Sequence, residues 1–499
     1  MNLGKMAFSD KLLELLSCLF IYEPQNKMNH MKADSFSTLP LSQPMLHNLD
    51  ELGFSAMTPV QAESLPHILK KCDVLAQAKT GSGKTAAFGL GLLSLLDVKK
   101  FRVQSLVLCP TRELADQVAK ELRRLARATH NVKILTICGG VPFGPQYGSL
   151  LHGAHIIVGT PGRVLKHLDK GNLSLKDMST LVLDEADRML DMGFIDDIGR
   201  IIKHGPAKRQ TLLFSATYPK EIVQLSKSLQ TDAIKVKTIA EEPENKIAEH
   251  FYQTKEDDKI DALIRVMAHH GPQRALVFCT TKIEARNVAR DLSASGIDAL
   301  GIHGDLEQYE RTDVLVRFMN KSCSVLVATD VAARGIDIKE LELVVNYDLP
   351  QSGEIYTHRI GRTGRAGKEG LAVTLYTDRE LYHIEGYKKE SRSFDDLDSL
   401  DVCEGFTLTA PNATLVVEGG KKNKMRPGDL LGALTGDAGI DEQYIGKIDI
   451  YATQSYVAIE RGTIDKAYSQ LKKGKIKGRT FPVWILGQKK TIDYTNVWE

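Results

Sequence analysis

Short apolar runs alternate with longer amphipathic stretches through most of the chain. In the first half, six apolar runs predict buried strands, and the stretches between them have the periodicity of helices. These runs cover residues 73–76, 105–109, 133–138, 155–158, 180–183 and 210–214. Strands that alternate with helices predict a parallel sheet covered by helices, with ligands bound at the carboxyl ends of the strands.

The same alternation occurs a second time and then changes. Five further runs predict a second parallel sheet, at residues 275–279, 297–300, 324–328, 343–346 and 372–376. After residue 413 the pattern becomes shorter and follows the order βαββαβ, which is typical of ferredoxin-like domains. Its predicted strands are 414–418, 447–451, 455–460 and 481–486, and its predicted helices are 427–434 and 464–471. The predicted fold class is therefore α/β, with two tandem parallel-sheet domains and a small C-terminal α+β domain.

Polar stretches between these patterns set the expected domain boundaries. We predict an N-terminal extension (1–33), a first sheet domain (34–238), a second sheet domain (245–388), a linker (389–412), the small domain (413–488) and a tail (489–499). Residues 239–259 are polar and are interpreted as a linker between the sheet domains. The apolar run 11–22 is too short to span a membrane. We interpret the extension as an over-extended start, with a partner-binding amphipathic helix as the alternative.

Charge is distributed unevenly, although the whole chain carries only 65 − 63 = +2. The balance is 51 − 53 = −2 before residue 405 and 14 − 10 = +4 from residue 405 onward. The basic excess in the last fifth of the chain indicates an anionic partner there. The seven cysteines are never closer than 29 residues, so neither a disulfide framework nor a zinc site is indicated, and a reducing cytoplasm is expected.

The stretch QAKTGSGKT at 77–85 follows the first predicted strand and precedes a helix-like run. A strand, a glycine-rich turn and Lys-Thr at the start of a helix form a phosphate-binding arrangement. Lys84 would supply charge for the outer phosphates, and Thr85 a hydroxyl for Mg²⁺. The strict pattern begins with Gly, where this chain has Ala78. A glycine-rich turn without a ligand is the alternative if the loop is taken alone.

Polar residues follow the other strands of the first domain and predict a functional edge of the sheet. Asp184, at the end of one strand, could hold Mg²⁺ through water, and Glu185 beside it could deprotonate an attacking water. Gln61 carries a donor and an acceptor that suit the edge of adenine, although a lone Gln after Pro is most often a helix-start residue. Loop caps and turns are the alternative for any one of these residues.

The second domain has a comparable polar edge but no second phosphate loop. We therefore expect it to complete a nucleotide site instead of forming one alone. Arg362 and Arg365 are three residues apart and could point the same way, which suits the charge that develops on a γ-phosphate. Surface arginines paired with carboxylates are the alternative.

These motifs together resemble those of the DEAD-box RNA helicases of superfamily 2. The resemblance covers Phe36, Gln61, AKTGSGKT, PTRELA, GG, TPGR, DEAD and SAT in the first domain and continues through HRIGRTGR in the second. It implies RecA-like sheet domains and ATP as the cofactor with Mg²⁺. The implied ATP contacts are Phe36, Gln61, Ala78, Lys79, Thr80, Gly81, Ser82, Gly83, Lys84, Thr85, Asp184, Gly335 and Asp337.

The resemblance also implies roles for the remaining motif residues. Lys84, Glu185, Arg362 and Arg365 would be catalytic. Asp187, Ser215, Thr217 and His358 would couple the two domains. Arg112, Gly140, Thr160, Arg163, Thr281, Gln308, Arg311, Thr329 and Arg334 would hold RNA. Hydroxyl, glycine and arginine residues suit phosphate and 2′-OH contacts, so the core should not read base sequence.

The small domain has the element order of an RNA recognition motif, but few aromatic residues for base stacking. Only Tyr456, with Tyr451 as a weaker candidate, falls where stacking residues are expected. Basic residues instead form two clusters, at 421–426 and at 466–479, where the second holds six basic residues and no acidic ones. The expected RNA contacts are Lys421, Lys422, Lys424 and Arg426 in the first cluster and Lys475 and Lys477 in the second. A solvated face is the alternative.

The tail stretch 419–436, with 446–448 and 475–478, resembles that of the DbpA-type helicases. The resemblance implies binding to a hairpin of 23S ribosomal RNA and action on the pre-ribosomal large subunit. The sequence therefore predicts a monomeric, cytoplasmic RNA-stimulated ATPase that unwinds short RNA duplexes in ribosome biogenesis. The alternatives are a general or cold-shock DEAD-box helicase without ribosomal specificity and an ATP-gated RNA clamp or scaffold. Residues 489–499 carry no prediction.

Overall fold

The computed structural model describes residues 35–78, 81–238, 247–333, 341–364, 369–388, 392–400, 405–437 and 439–487. The chain divides into two compact units, residues 1–241 and 242–499. The expectations for residues 1–33 and 489–499 lie outside the described residues. Within the described residues, every helix is too short or too polar to cross a lipid bilayer.

The first unit is built on a parallel seven-stranded sheet in the order β3-β4-β2-β5-β6-β1-β7. Its strands are β1 (Val74–Gln77), β2 (Ser105–Leu108), β3 (Ile134–Ile137), β4 (Ile156–Gly159), β5 (Thr180–Asp184), β6 (Gln210–Ser215) and β7 (Ile234–Lys237). Its helices are α1 (Gln43–Glu51), α2 (Pro59–Leu69), α3 (Lys84–Ser94), α4 (Arg112–Leu125), α5 (Phe143–Leu151), α6 (Pro161–Asp169), α7 (Ala186–Asp191), α8 (Ile195–Lys203) and α9 (Lys220–Leu229). The six predicted strands are confirmed within one or two residues.

Helix α4 illustrates how local sequence produces this layer. The Thr111 side chain caps the helix by accepting a hydrogen bond from the backbone N–H of Leu114, 3.3 Å away. The residues at helical spacing that face the sheet are buried: Leu114, Ala115, Val118, Ala119, Leu122 and Leu125. Arg123 and Arg124 lie in the last turn, where positive charge is favourable. The Thr111 cap and the buried face together hold the first turn of α4 at the carboxyl end of β2.

The second unit begins with another parallel seven-stranded sheet, in the order β10-β11-β9-β12-β13-β8-β14. Its strands are β8 (Ile247–Gln253), β9 (Ala275–Cys279), β10 (Ala299–Ile302), β11 (Val325–Thr329), β12 (Leu343–Asn346), β13 (Gly370–Tyr376) and β14 (Arg392–Asp395). Its helices are α10 (Lys259–His270), α11 (Lys282–Ala294), α12 (Gln308–Met319), α13 (Asp330–Ala333), α14 (Gly353–Ile360) and α15 (Leu381–Ile384).

Both predicted linkers contain strands of this sheet. Strand β8 falls within 239–259 and pairs with β13, and β14 falls within 389–412 and pairs with β8. The linker interpretation is therefore wrong for these segments. Their polarity is explained by partners: Glu249 of β8 accepts hydrogen bonds from Arg392 and Tyr356, and His250 pairs with Asp395 at 2.8 Å.

The C-terminal domain is an antiparallel four-stranded sheet with two helices. Its elements are β15 (Asn412–Val417), α16 (Pro427–Gly432), β16 (Ile445–Ile450), β17 (Ser455–Glu460), α17 (Ile464–Lys473) and β18 (Val483–Ile485). The strand order β16-β17-β15-β18 is that of the ferredoxin-like fold. The predicted order of elements is therefore confirmed, and alternate strand residues such as Leu415, Val457 and Ile485 face the helices.

The opposite face of this sheet packs on the second RecA-like sheet domain. Val416 and Tyr456 form an apolar cluster with Val316 of α12. Asn320 donates a hydrogen bond to the Thr414 hydroxyl at 2.9 Å, and the Tyr456 hydroxyl donates one to Asp313 at 2.7 Å. These polar groups are buried or half-buried, and each has a partner. They therefore fix one position of this sheet on α12.

Candidate active site

The phosphate loop joins β1 to α3. Its lysine, Lys84, is buried, and its Nζ donates a hydrogen bond to the backbone oxygen of Ala78 at 2.9 Å. Gly83 has φ 92° at the start of α3, a conformation that favours glycine. Thr85 lies in the first turn of the helix and is half-buried. The loop therefore presents backbone N–H groups, a hydroxyl and an ammonium group at one helix N-terminus, as anion binding requires.

Gln61 supports this loop from α2. Its side-chain oxygen accepts a hydrogen bond from the backbone N–H of Thr58 at 2.9 Å, and its Nε2 donates one to Gly83 O at 3.1 Å. A side chain at position 83 would collide with Nε2 of Gln61. Gln61 is thus a helix-start residue, as its alternative interpretation held, and also a brace for the phosphate loop.

Phe36 lies in a short turn ahead of α1 rather than in an open cleft. It is only 4% exposed, and its ring meets that of Phe54 edge-on, with 6.2 Å between centroids. Its position in the core of the first unit means that an ATP contact would have to involve the edge of the side chain or the neighbouring backbone.

Asp184 lies at the carboxyl end of β5 and is 3% exposed. Burial raises the pKa of its carboxyl group to about 6, with Lys84 opposing the shift and Glu185 adding to it. Among the residues that the structure describes, its Oδ1 has no hydrogen-bond partner. A buried carboxylate oxygen without a partner, close enough to Lys84 to feel its charge, fits a hydrated Mg²⁺ ion.

Glu185 has φ 54° and ψ 54°, in the left-handed region that non-glycine residues rarely adopt. Such a conformation costs about 1–3 kcal/mol and is typical of functional positions. It allows the chain to turn directly from the end of β5 into α7. The adjacent carboxyl groups of Asp184 and Glu185 are thereby held at one strand end.

Asp187, Ser215 and Thr217 form one hydrogen-bonded network. Oδ2 of Asp187 accepts hydrogen bonds from the backbone N–H of Thr217 at 2.9 Å and from its hydroxyl at 3.0 Å. The Ser215 hydroxyl accepts one from the backbone N–H of Asp187 at 3.3 Å and donates one to Thr217 O at 2.8 Å. The structure therefore links the segment after β5 to the end of β6.

The four predicted RNA contacts of the first domain lie at neighbouring strand ends. A side chain at Gly140, which has φ 74°, would collide with the guanidinium of Arg112. Thr160 precedes α6, and Arg163 in its first turn donates a hydrogen bond to Val141 O at 3.0 Å. Two arginines, a glycine turn and a threonine therefore lie at one edge of the first sheet.

Gln146 was not predicted from the sequence, yet it holds this edge together. It is 8% exposed, and its Nε2 donates a hydrogen bond to Cys138 O at 2.8 Å. Its oxygen lies 3.1 Å from both Nη1 of Arg163 and Nε2 of His167. Burial, with Arg163 and Lys170, lowers the pKa of His167, so this imidazole is neutral at pH 7. A single glutamine in an amphipathic helix gave no signal in the sequence.

The second domain places its predicted RNA contacts at the ends of β9, β10 and β11. Thr281 caps α11 by accepting a hydrogen bond from Glu284 N at 3.2 Å. Gln308 begins α12, and Arg311 in its first turn donates a hydrogen bond to Ala332 O at 2.7 Å. Thr329 is buried, and its hydroxyl accepts one from Ala332 N at 3.4 Å. These four residues therefore lie along one edge of the sheet.

Arg359 was not among the site residues expected from the sequence. It is 3% exposed, and its Nε and Nη2 each donate to Asp330 at 2.8 Å. Its Nη1 also donates to Asn346 and to the backbone oxygen of Asp348. His358 and Arg362 flank it and are half-buried. Arg359 therefore fixes α14 to the strand ends, leaving Arg362 at the end of that helix.

Several predicted site residues lie outside the described residues. They are Lys79 and Thr80 of the phosphate loop, Arg334, Gly335 and Asp337 after α13, and Arg365 after Arg362.

A buried acidic pair lies beneath the loop that carries Thr281. Asp348 accepts hydrogen bonds from Thr280 N at 2.7 Å and from Lys259 Nζ at 3.1 Å. Burial, together with the hydrogen bond to Asp348 and the charge of that group, raises the pKa of Glu284 to about 8. The pair therefore shares one proton at neutral pH. Cys279 also lies close by, but Lys259 already neutralises Asp348, which leaves no need for a metal ion.

The two basic clusters of the C-terminal domain meet in the structure. Nζ of Lys477 donates a hydrogen bond to Lys424 O at 3.1 Å and pairs with Asp429 at 3.2 Å. The basic residues of these clusters are exposed: Lys421, Lys422, Lys424, Arg426, Lys475 and Lys477. They form one surface, which we call the basic surface. Tyr456, in contrast, is 1% exposed against α12, so stacking of a base on this sheet residue is excluded in this arrangement.

Family models match all three parts of the chain. Residues 58–225 match DEAD/DEAH box helicase, residues 258–367 match helicase conserved C-terminal domain, and residues 414–485 match DbpA RNA binding domain.

Relatives and solved structures agree with these matches. The chain is 53% identical over 454 residues to the ATP-dependent RNA helicase DbpA of Escherichia coli K12, covering 91% of this chain and 99% of that protein. It is 46% identical to the DEAD-box ATP-dependent RNA helicase CshA of Geobacillus kaustophilus, over 70% of this chain and 76% of that protein. It is similar to Saccharomyces cerevisiae Dbp5 bound to RNA and ADP BeF3, with a TM-score of 0.67 and 30% identity over 73% of this chain and 96% of that one. The chain therefore belongs to the DbpA type of the DEAD-box ATP-dependent RNA helicases.

Proposed function

We propose that this helicase uses its C-terminal domain to bind a hairpin of 23S ribosomal RNA and unwinds short duplexes near it during large-subunit assembly. The observation that carries the proposal is the basic surface, where Lys477 joins the two basic clusters. The sheet face that would otherwise offer Tyr456 is closed by α12. The proposal includes a monomer that acts in the cytoplasm on the pre-ribosomal large subunit.

Hydrolysis is assigned to the edge of the first sheet. Backbone groups of the phosphate loop and Lys84 would bind the phosphates, and Thr85 and Asp184 would hold Mg²⁺, which neutralises phosphate charge when bound. Glu185 would take a proton from the attacking water as general base. The strained backbone of Glu185 and the unpaired Oδ1 of Asp184 support these roles.

Further residues would complete ATP binding and the response to it. Arg362 and Arg365 would stabilise charge on the γ-phosphate, and Asp337 would bind the ribose. Phe36, Gln61 and Gly335 would contact the rest of the nucleotide. The network of Asp187, Ser215 and Thr217, with His358, would couple hydrolysis to the arrangement of the two domains.

The RNA contacts of both sheet domains would hold the backbone of one strand. Arg112, Gly140, Thr160 and Arg163 would act from the first, and Thr281, Gln308, Arg311, Thr329 and Arg334 from the second. Separating about four base steps at roughly 1.4 kcal/mol each costs about 6 kcal/mol, a free energy that ligand binding can supply.

Stimulation of ATP hydrolysis by different RNAs tests the proposed target. A 23S fragment that carries the hairpin should stimulate the full chain at lower concentration than an unrelated RNA of equal length and base-paired content. Replacing Lys421, Lys422, Lys424 and Lys475 by Gln should remove that preference, and the control Lys388→Gln, at an exposed lysine that pairs with Glu385 outside the C-terminal domain, should retain it. Deleting residues 405–499 is a less specific test, because it would also expose Val316 of α12.

A general helicase without ribosomal specificity is the second candidate, because the CshA relative matches over 70% of this chain. Equal stimulation of the wild-type chain by the two RNAs would favour it. An ATP-gated clamp would bind RNA with ATP but show no steady-state hydrolysis, so the same assay decides that alternative too.

A further inference from the structure

The side-chain amide of Gln146 has a partner at each of its polar atoms. Its Nε2 donates a hydrogen bond to the backbone oxygen of Cys138 at 2.8 Å, and its oxygen lies 3.1 Å from both Nη1 of Arg163 and Nε2 of His167. A backbone oxygen such as that of Cys138 can only accept, so the NH₂ group of the amide must lie on that side. The oxygen of Gln146 therefore faces Arg163 and His167, and the orientation of the amide is fixed.

His167 completes this arrangement as a donor. Because the Gln146 oxygen can only accept, Nε2 of His167 must carry the hydrogen. The ring of Phe143 stacks on that of His167, with 3.9 Å between the centroids and 6° between the planes. Burial, with Arg163 and Lys170, lowers the pKa of His167, which keeps the imidazole neutral. His167 thus holds the Gln146 oxygen in place without adding charge next to Arg163.

Arg163 is held by two hydrogen bonds and keeps further donors. Its Nη1 donates to the Gln146 oxygen, and its Nη2 donates to Val141 O at 3.0 Å. The guanidinium also lies 5.7 Å from the centre of the Phe143 ring. A guanidinium has five N–H groups, and its hydrogen bonds to the residues that the structure describes use two of them. Because the side chain is half-buried, it is held in one place while the remaining N–H groups can meet a ligand.

Contacts within the first domain place Arg163 among the other predicted RNA contacts. Its backbone N–H donates a hydrogen bond to Thr160 O at 3.2 Å, and its Nη2 reaches Val141, the residue after Gly140. The guanidinium of Arg112 packs on Gly140 so closely that a side chain there would collide with it. Two arginines, a glycine and a threonine at one edge suit the phosphates of an RNA strand. An arginine that is already ordered loses less side-chain entropy when it binds a phosphate.

We propose that Gln146 is a positioning residue for RNA binding, which holds the guanidinium of Arg163 in place for a backbone phosphate. The inference rests on the proposed function, in which Arg163 contacts the RNA backbone. Gln146 is only 8% exposed, so it acts through Arg163 and not by touching RNA. Its contribution is to order Arg163 before RNA arrives, so that binding does not have to immobilise a flexible side chain.

A double-mutant cycle in the full chain tests this role. The quantity measured is the gain in affinity for single-stranded oligouridylate that a non-hydrolysable ATP analogue produces, because this gain excludes binding that does not depend on nucleotide. Gln146→Met, which keeps the volume and removes the amide, should reduce the gain about 2- to 12-fold, the factor for immobilising one side chain. In an Arg163→Ala background the same change should have no further effect, because the residue that Gln146 positions is gone.

Gln210→Met is the matched control. Gln210 is 5% exposed, and its Nε2 donates to the backbone oxygens of Ile68 and Cys72 at the amino end of β6. Both Gln→Met variants should lower the melting temperature and leave the affinity for the ATP analogue without RNA unchanged, but only Gln146→Met should reduce the gain in RNA affinity. If Gln146→Met does not fold, Gln146→Asn provides a second cycle, because it withdraws the oxygen by about 1.5 Å, beyond hydrogen-bond distance of Arg163.

Two results would overturn the inference. One is an unchanged gain in RNA affinity in Gln146→Met. The other is an equal loss with and without Arg163, which would give Gln146 a role in the fold alone. An unchanged gain in Arg163→Ala would instead overturn the proposed RNA contact of Arg163, which separates the failure of this inference from the failure of the proposed function.

Discussion

The side-chain amide of Gln61 donates a hydrogen bond to the backbone oxygen of Gly83, 3.1 Å away. The same side chain accepts one from the backbone N–H of Thr58. One glutamine thus joins the start of α2 to the last residue of the phosphate loop. The Gln61 side chain is buried, and the Gly83 oxygen also accepts the helical hydrogen bond from Ala87 N at 3.1 Å, so losing the Gln61 donor would remove one of two hydrogen bonds at this oxygen.

Gln61→Glu should weaken ATP binding while preserving the fold. The carboxylate can still accept from Thr58, but it cannot donate to Gly83 and adds negative charge beside the phosphates. Loss of one hydrogen bond costs about 0.5–1.5 kcal/mol, and the added charge opposes phosphate binding, so we expect Kd for ATP to rise by roughly tenfold. Equilibrium binding of a fluorescent ATP analogue measures this change.

The control for this prediction is Gln230→Glu. The side-chain amide of Gln230 donates hydrogen bonds to the backbone oxygens of Val74 and Thr211, at the end of β1 away from the phosphate loop. The Gln230→Glu change should lower the free energy of unfolding and leave the ATP affinity of the folded protein near the wild-type value. Equal ATP affinity in Gln61→Glu and the wild type would contradict a role for this brace.

The carboxyl pair of Glu284 and Asp348 should make stability depend on pH. Burial and the neighbouring Asp348 together raise the folded-state pKa of Glu284 from 4.5 to about 8. The protonated group therefore stabilises the fold fully below pH about 4.5, and this contribution is lost as pH rises through about 8. Glu284→Gln keeps a donor for Asp348 but cannot titrate.

Urea denaturation between pH 5 and 9 checks this expectation. The wild type should lose stability relative to Glu284→Gln as the pH rises. The exposed Glu418→Gln change is the control and should follow the wild type at every pH. A difference between wild type and Glu284→Gln that does not vary with pH would show that the raised pKa is wrong.

Much of the fold and of the first-domain site could be predicted from the sequence. Apolar runs such as 275–279 and 343–346 became strands with those bounds, because buried parallel strands are apolar on both faces. The phosphate loop, and Asp184 and Glu185 at the end of β5, could be predicted because their residues are close together in the sequence. Such features need no knowledge of distant partners.

What the sequence could not reveal depends on long-range pairs. Strand β8 was interpreted as part of a linker because Glu249 and His250 are polar, and their partners Arg392 and Asp395 are far along the chain. Gln146 gave no signal because its role arises only when α5 and α6 approach. The packing of β15 and β17 on α12 was invisible because Val416 and Tyr456 look like ordinary strand residues.

Removal of the Tyr456 hydroxyl should loosen this packing. Tyr456→Phe leaves the half-buried Asp313 without its donor, which we expect to cost about 1–3 kcal/mol of unfolding free energy. Denaturation of the full chain followed by near-ultraviolet circular dichroism measures the loss. Tyr444→Phe, at a 37% exposed site in the same domain, should be neutral. Equal stability of the two variants would show that the contact with Asp313 contributes nothing.

The basic surface should determine how RNA binding depends on salt. Each phosphate contact contributes about 0.7–0.9 to the slope of log K against log salt, so replacing Lys421, Lys422, Lys424 and Lys475 by Gln should reduce the slope by about 3. Titration of a 23S hairpin at several salt concentrations gives the slope. Lys388→Gln, at a lysine that pairs with Glu385 outside the C-terminal domain, should change the slope little. An unchanged slope in the fourfold variant would exclude this surface from RNA binding.

The most direct measurement is steady-state ATP hydrolysis with and without RNA, in the wild type and in Glu185→Gln. We expect RNA-stimulated turnover in the wild type and none above background in the variant. Glu185→Gln should still bind RNA in an ATP-dependent manner, since the amide removes only the base. Continued steady hydrolysis by the variant would contradict the assignment of Glu185 as the group that activates water.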